Sequence, residues 1–181
     1  CSRIRNRKYT INERFFYEDT PESFYVAGFI AADGWVINKN KNYMLGIELS
    51  TKDQKHLENI NKAMDSNYPI KLKTKSNESL RILNNYKDFN NRKEFSDICS
   101  LKISNRDIVL GLERFGIIPA KTYHLKMPEW LKSHKLVSHF MRGYIDGDGC
   151  FYTSNNNSHF SMPGTVQMLN DFHDIIKENN I

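Results

Sequence analysis

Two acids in this 181-residue sequence stand where they could do chemistry. Asp33 is next to last in VAGFIAADG, Val26 to Gly34, and Asp148 is next to last in MRGYIDGDG, Met141 to Gly149. The run before Asp33 is apolar on nearly every face, so it reads as a buried helix, and the second stretch repeats the pattern. Each acid then falls at a helix C-terminus, which holds about half a negative charge and favours Lys or Arg by ~0.3–1 kcal/mol. Small residues mark one stripe of each helix: Ala27, Gly28, Ala31 and Ala32 in the first, Gly143 and Gly147 in the second. Small residues four apart let two backbones touch. Packed together, the helices bring two carboxylates to one place. Like charges sharing a site raise a pKa or recruit a cation. A hard divalent ion, Mg²⁺ or Mn²⁺, resolves the conflict, with Asp33, Asp148 and the carbonyls of Ala32 and Gly147 as its oxygen donors. A lone Asp-Gly after a helix is most often a turn, with Gly supplying positive φ. Two copies in the same context favour the metal.

The elements that must position these acids recur as well. The helix from Ser23 to Asp33 precedes two strands, Trp35–Ile37 and Tyr43–Leu49, joined by the polar turn NKNKN. The next helix has Asp53 as its cap and Leu57, Ile60 and Met64 on one face. Residues 69–104 alternate as strands, in IKLKT, SLRIL and ICSLKIS. Asn105 caps a further helix that ends at Gly116, and a loop with two prolines follows. The second motif helix then leads into strands near Cys150–Thr153 and His159–Met162 and a last helix, VQMLNDFHDIIKENN. Asp33 and Asp148 lie 115 positions apart, while Leu57 and Ile60 find counterparts 112 positions on in Leu169 and Phe172. Self-similarity at a nearly constant offset predicts a duplicated α+β unit. The organisation read from this is a basic linker over 1–21, a first repeat over 22–138, and the start of a second over 139–181.

Composition narrows the class. An apolar content of 39% suffices for a core, and 26 Lys and Arg against 21 Asp and Glu leave a net charge of +5, which suits a partner with phosphates. The three cysteines have neither paired nor metal-ligand spacing, and the six histidines form no zinc motif. No apolar run approaches the ~18 residues of a membrane span. The basic, polar N-terminus is not a signal peptide. These features predict an intracellular protein with reduced thiols, in a bacterium, a phage-infected cell or an organelle, and not a secreted one. A start on Cys rather than Met reads as a fragment or a processed product.

VAGFIAADG and MRGYIDGDG resemble, position by position, the motif that names the LAGLIDADG homing endonucleases, with the functional acid in eighth place. Two motifs in one chain resemble the single-chain, pseudo-twofold members. The connector GIIPAKTYHLKMP and the opening IRNRKYTINERFF are similar to those of intron-, intein- and phage-encoded relatives. The resemblance implies a pair of αββαββα repeats, with two antiparallel saddle-shaped sheets over the DNA major groove and the motif helices packed at the centre. It implies a site-specific endonuclease in which Asp33 and Asp148 bind Mg²⁺ and activate water for attack on both strands. It also implies one basic residue per active site, for which Lys121 is the candidate in the first half. Thr51 or Lys52 would be a polar neighbour. Two departures stand out. Position six is Ala31 in the first motif and Asp146 in the second. The second repeat is short, so a further segment or a second polypeptide must complete it.

DNA contacts follow from strand alternation. Arg3, Arg5 and Lys8 would lie along phosphates. Asn38, Lys39 and Lys41 flank the first turn. Lys71, Lys73 and Lys75 fall two apart on one strand face, with Arg81 beside them, and Tyr152 and Asn155 occupy the analogous second turn. Such side chains can read adenine and guanine edges. The alternative is a relative that binds without cutting, either an intron RNA maturase or a DNA-binding regulator.

Overall fold

A computed structural model describes residues 8–73, 97–154 and 157–178. The expectations for Arg3, Arg5, Lys75, Arg81, Asn155 and the strand SLRIL lie outside the described residues. Helix α1, Pro21–Asp33, opens on a capping box: Ser23 N donates to Thr20 Oγ1 at 3.1 Å, and Thr20 N donates to Ser23 Oγ at 3.3 Å. Pro21 sits at the first helical position, where its missing N–H is no loss. From Ser23 to Ala31 all residues but Tyr25 are buried, as all-round apolarity requires.

The chain passes from α1 into β1, Gly34–Lys39, without a connector. Gly34 adopts φ −88° and its N–H donates to Ile30 O; Gly149 does the same at φ −73° with Ile145 O. Neither uses the left-handed region that an Asp-Gly turn would need. The glycines are required because a Cβ would strike the preceding turn, lying 2.6 Å from Ile30 Cγ2 in one case and 2.9 Å from Ile145 Cγ2 in the other.

Strand β2, Asn42–Ser50, pairs with β1 through a two-residue turn whose residues, Asn40 and Lys41, have φ of 52° and 62°. Both values suit the primed hairpin turn, whose twist matches the strands. With β3, Ile70–Lys73, and β4, Ile98–Ile103, the strands form an antiparallel four-stranded sheet in the order β1-β2-β4-β3. Alternation sends Val36, Leu45, Ile47, Cys99, Leu101 and Ile103 to a buried face. Helices α2, Gln54–Ala63, and α3, Arg106–Glu113, contribute Leu57, Ile60, Ile108, Val109 and Leu112 to the same core. Asn105 caps α3 by accepting from Asp107 N and Ile108 N at 2.9 and 3.2 Å. Asp53 stands at the N-cap of α2, but its side chain makes no capping bond.

The stretch expected to be a linker departs from that reading within the described residues. Phe15 and Phe16 are buried, and Arg114 Nη1 donates to Phe16 O at 2.6 Å. Hydrogen bonds from Asn12 N to Met64 O and from Thr10 N to Asn67 Oδ1 tie this segment to the end of α2. Basic composition hid two large aromatics whose burial outweighs it.

Short helix α4, Glu129–Lys132, interrupts the proline loop before α5, Val137–Asp148, which packs along α1. Strands β5, Cys150–Ser154, and β6, Asn157–Ser161, form a separate two-stranded sheet, and α6, Val166–Glu178, follows. In α6 the buried positions are Met168, Asp171, Phe172 and Ile175. Phe172 thus matches its expected counterpart position, whereas Leu169 is half-buried and Met168 takes the core place. No helix among the described residues is long and apolar enough to cross a membrane.

Candidate active site

The two motif helices meet backbone to backbone. A Cβ on Gly28 would overlap the Phe140 carbonyl, and one on Gly143 would overlap the Tyr25 carbonyl. One on Gly147 would lie 2.5 Å from Ala32 Cβ and 3.5 Å from Asp33 Oδ2. Ala27 and Ala31 are buried in the same packing. Stacked rings seal one end of the pair, with Phe115 and Phe140 at 6.1 Å and Phe24 edge-on to Phe115 at 5.2 Å. The small-residue stripes therefore bring Asp33 and Asp148 to neighbouring helix ends. Both carboxyls are held above their ordinary value, chiefly by desolvation. Repulsion between the two acids adds to the rise.

Lys121 reaches this point from the connector. Its Nζ donates to Ala31 O at 2.5 Å and to Ala32 O at 3.0 Å, capping the last carbonyls of α1 with a cation. Desolvation lowers its pKa, while Asp148 and Asp33 pull it back up. Ala120, just before it, takes the left-handed conformation at φ 57°, which turns the chain into the one-turn 3₁₀ segment Lys121–Tyr123.

Two clefts flank the helix pair. One, of about 800 Å³, holds Asp148 with Lys121, Tyr144 and the start of α6 at Thr165. Desolvation and Asp148 push the Tyr144 hydroxyl up to about 12. The other, of about 320 Å³, holds Asp33 with Asp53, His56, Asp146 and Gly147. The clefts are unequal: Lys121 lines the Asp148 cleft, and among the described residues no lysine or arginine lines the Asp33 cleft. Thr51 and Lys52 do not line either cleft; Asp53 occupies the place expected for them. Asp146, the sixth residue of its motif, accepts from Tyr25 OH at 2.8 Å, and the Arg142 guanidinium lies 4.8 Å from the Tyr25 ring. This clasp between the helices was not foreseen; the unequal sixth positions were its signal. Among the described residues, no three His, Cys, Asp or Glu side chains converge on a metal position.

The other prepared surface is the open face of the four-stranded sheet. Lys71 and Lys73 share it as their spacing predicts. Lys8 and Lys71 line a hollow of about 470 Å³ with Tyr9, Tyr68, Ser100 and Lys102. Lys39 and Lys41 are exposed at the hairpin tip. Asn38 is a correction: its side chain turns to the helical side, where Nδ2 donates to Glu113 Oε1 at 2.6 Å. Lys102, Trp35 and Glu48 were missed. In ICSLKIS and MLGIELS, strict alternation opposite the apolar positions marks Lys102 and Glu48. In the second hairpin, Tyr152 is exposed and stacks on His159 at 5.0 Å.

No family model and no curated protein matches the sequence. Solved structures do match the architecture. The meganuclease I-SmaMI, solved bound to uncleaveable DNA, is 13% identical with a TM-score of 0.50, over 88% of this chain and 72% of that one. The LAGLIDADG homing endonuclease I-LtrWI, solved bound to target DNA, is 15% identical with a TM-score of 0.51, over 94% and 74%. The chain has the LAGLIDADG homing endonuclease fold. At such identity the likeness is one of backbone.

Proposed function

We propose that this chain is a site-specific, Mg²⁺-dependent DNA endonuclease that hydrolyses phosphodiester bonds on both strands. The observation that carries the reading is the meeting of Asp33 and Asp148 at two touching helix ends beside Lys121. Stability alone gives no reason for it: the acids oppose the helix dipoles and each other. The donor set fits a hard divalent cation, because the two carboxylates and the Gly147 carbonyl are all oxygen; the Ala32 carbonyl, also expected as a donor, instead accepts from Lys121 Nζ at 3.0 Å. Such an ion supplies Lewis-acid polarisation and a water of lowered pKa.

The chain's own groups do the rest. Asp33 and Asp148 would hold such an ion. Lys121, fixed on the α1 carbonyls, presents an ammonium to a phosphate oxygen or an ordered water in the Asp148 cleft. The flanking clefts offer each strand a place, and the lysines of the open sheet face hold the duplex along its phosphates. Incubation with a duplex library and MgCl₂ should give discrete double-strand cuts that chelation abolishes. Asp33→Ala and Asp148→Ala should each abolish them, and cutting that persists in both variants removes the assignment.

The Asp33 cleft, where no described lining residue is a lysine or arginine, favours a second reading, a relative that binds nucleic acid without cutting. Filter binding that prefers intron RNA to duplex DNA, with no cleavage in Mg²⁺, would select it.

A further inference from the structure

The open face of the four-stranded sheet carries one group ill-suited to a phosphate surface. Glu48 points out from β2, in register with Ser100 of β4, and its Oε1 accepts from Ser100 Oγ at 3.2 Å. Lys73 Nζ lies 2.6 Å from the same oxygen and Lys102 Nζ 3.5 Å. Lys102 is also anchored over the Trp35 ring at 5.4 Å. The Glu48 side chain is 34% exposed and its lysines are 47% and 45% exposed. Ion pairs that open contribute about 0–1 kcal/mol, so stability does not explain an acid here. Against phosphates it is a penalty, because it cancels cations that would otherwise release counterions.

A carboxylate is favourable on such a face only where it meets a donor. The major groove offers two, cytosine N4 and adenine N6, and adenine sets the N7 acceptor beside its amine, which repels a carboxylate. We propose that Glu48 is a specificity-determining residue that reads one cytosine of the target. Its carboxylate accepts from the N4 amine, while Lys73 or Lys102 donates to O6 and N7 of a guanine in the same or the next base pair. The two lysines and Ser100 hold the carboxylate in place before the duplex arrives.

This rests on the DNA-binding reading above, and the experiment separates the two. A randomised duplex pool is selected on the unaltered protein, and every base pair of the selected site is then tested for binding to it, to Glu48→Gln and to Glu48→Ala. Glu48 is exposed, so both variants should melt as the unaltered protein does. The unaltered protein should prefer cytosine at one position by about ten-fold or more. Glu48→Gln should move that position alone to adenine, and Glu48→Ala should flatten it. Both should bind random duplex more tightly, with a steeper salt dependence. If both variants keep the full consensus and merely bind every duplex more tightly, the assignment of Glu48 is overturned while DNA binding stands. A pool from which the unaltered protein enriches nothing overturns the DNA reading, and this assignment with it.

Discussion

The two repeats begin alike and end differently. Helix α1 has 13 residues and α5 has 12, and each delivers an Asp and then a Gly into a strand. The strands after α1 form a sheet whose inner face is buried, with Leu45, Ile47 and Leu101 at 0% exposure. Every described residue of the β5–β6 hairpin is exposed, including Phe151 at 76% and Phe160 at 47%. The hairpin's own pairing is regular, and the two rings touch across it at 4.6 Å. Short-range sequence thus forms helix and hairpin in both repeats, but a buried face needs further strands and helices closing over it. The helix pair belongs to both halves and is packed to the limit of backbone contact.

The largest effect should come from breaking that shared element. Gly143→Val drives a side chain into the Tyr25 carbonyl and the 2.9 Å approach to Phe29 N. Backbone on both sides cannot yield, so a loss of about 5 kcal/mol or more is expected, enough to abolish a cooperative denaturation transition. A variant that unfolds with an unchanged midpoint would mean that the helices do not touch in solution.

Next comes a direct test of the contrast between the sheets. Leu45→Ala empties a site at 0% exposure and should lower stability by about 2–5 kcal/mol. Phe151→Ala removes a larger side chain but one at 76% exposure, and should stay within about 0.5 kcal/mol. Equal losses in urea titrations would show that the second sheet is covered as the first is.

This contrast also sorts what the sequence could reveal. The apolar helices, the alternation in MLGIELS and the caps at Asn105 and Thr20–Ser23 are local patterns, and local patterns are legible. The pairing of Asp33 with Asp148 was legible because the small residues repeat at helical spacing. The burial of Phe15 and Phe16, the turn of Asn38 towards Glu113 and the core place of Met168 depend on partners distant in the chain, which no periodicity announces. The Asp171 carboxylate is of the same kind: buried in α6, it is held by Lys132 Nζ at 2.8 Å across the connector.

A smaller effect, with a defined sign, concerns the acids. Asp33 and Asp148 have native pKa values above the ordinary 3.8, so just above that pH the folded chain binds more protons than the unfolded one. Stability from this pair is therefore greatest in acid and falls as pH rises through the raised values. The double variant Asp33→Asn, Asp148→Asn should lose that fall and melt higher than the unaltered protein at neutral pH without divalent ions. Added MgCl₂ should raise the melting temperature of the unaltered protein and leave the variant unmoved. A variant that melts lower at pH 7 would mean that the carboxylates stabilise the fold and are not in electrostatic conflict.

The smallest effect tests how Lys121 is aimed. Ala120 is exposed at φ 57°, a conformation that strains an L-residue by roughly 1–2 kcal/mol and that glycine adopts freely. Glycine also gives the unfolded chain more entropy, worth roughly 0.5–1 kcal/mol, so Ala120→Gly should gain no more than about 1 kcal/mol. The position of Lys121 should not change, because its bonds to Ala31 O and Ala32 O fix it independently of the kink. Cutting should then proceed at the unaltered rate while the denaturation midpoint rises slightly. A rate that falls while the midpoint holds would mean that the strained alanine aims the lysine. The inequality between the clefts would then lie in the backbone of the connector as well as in the residues that line them.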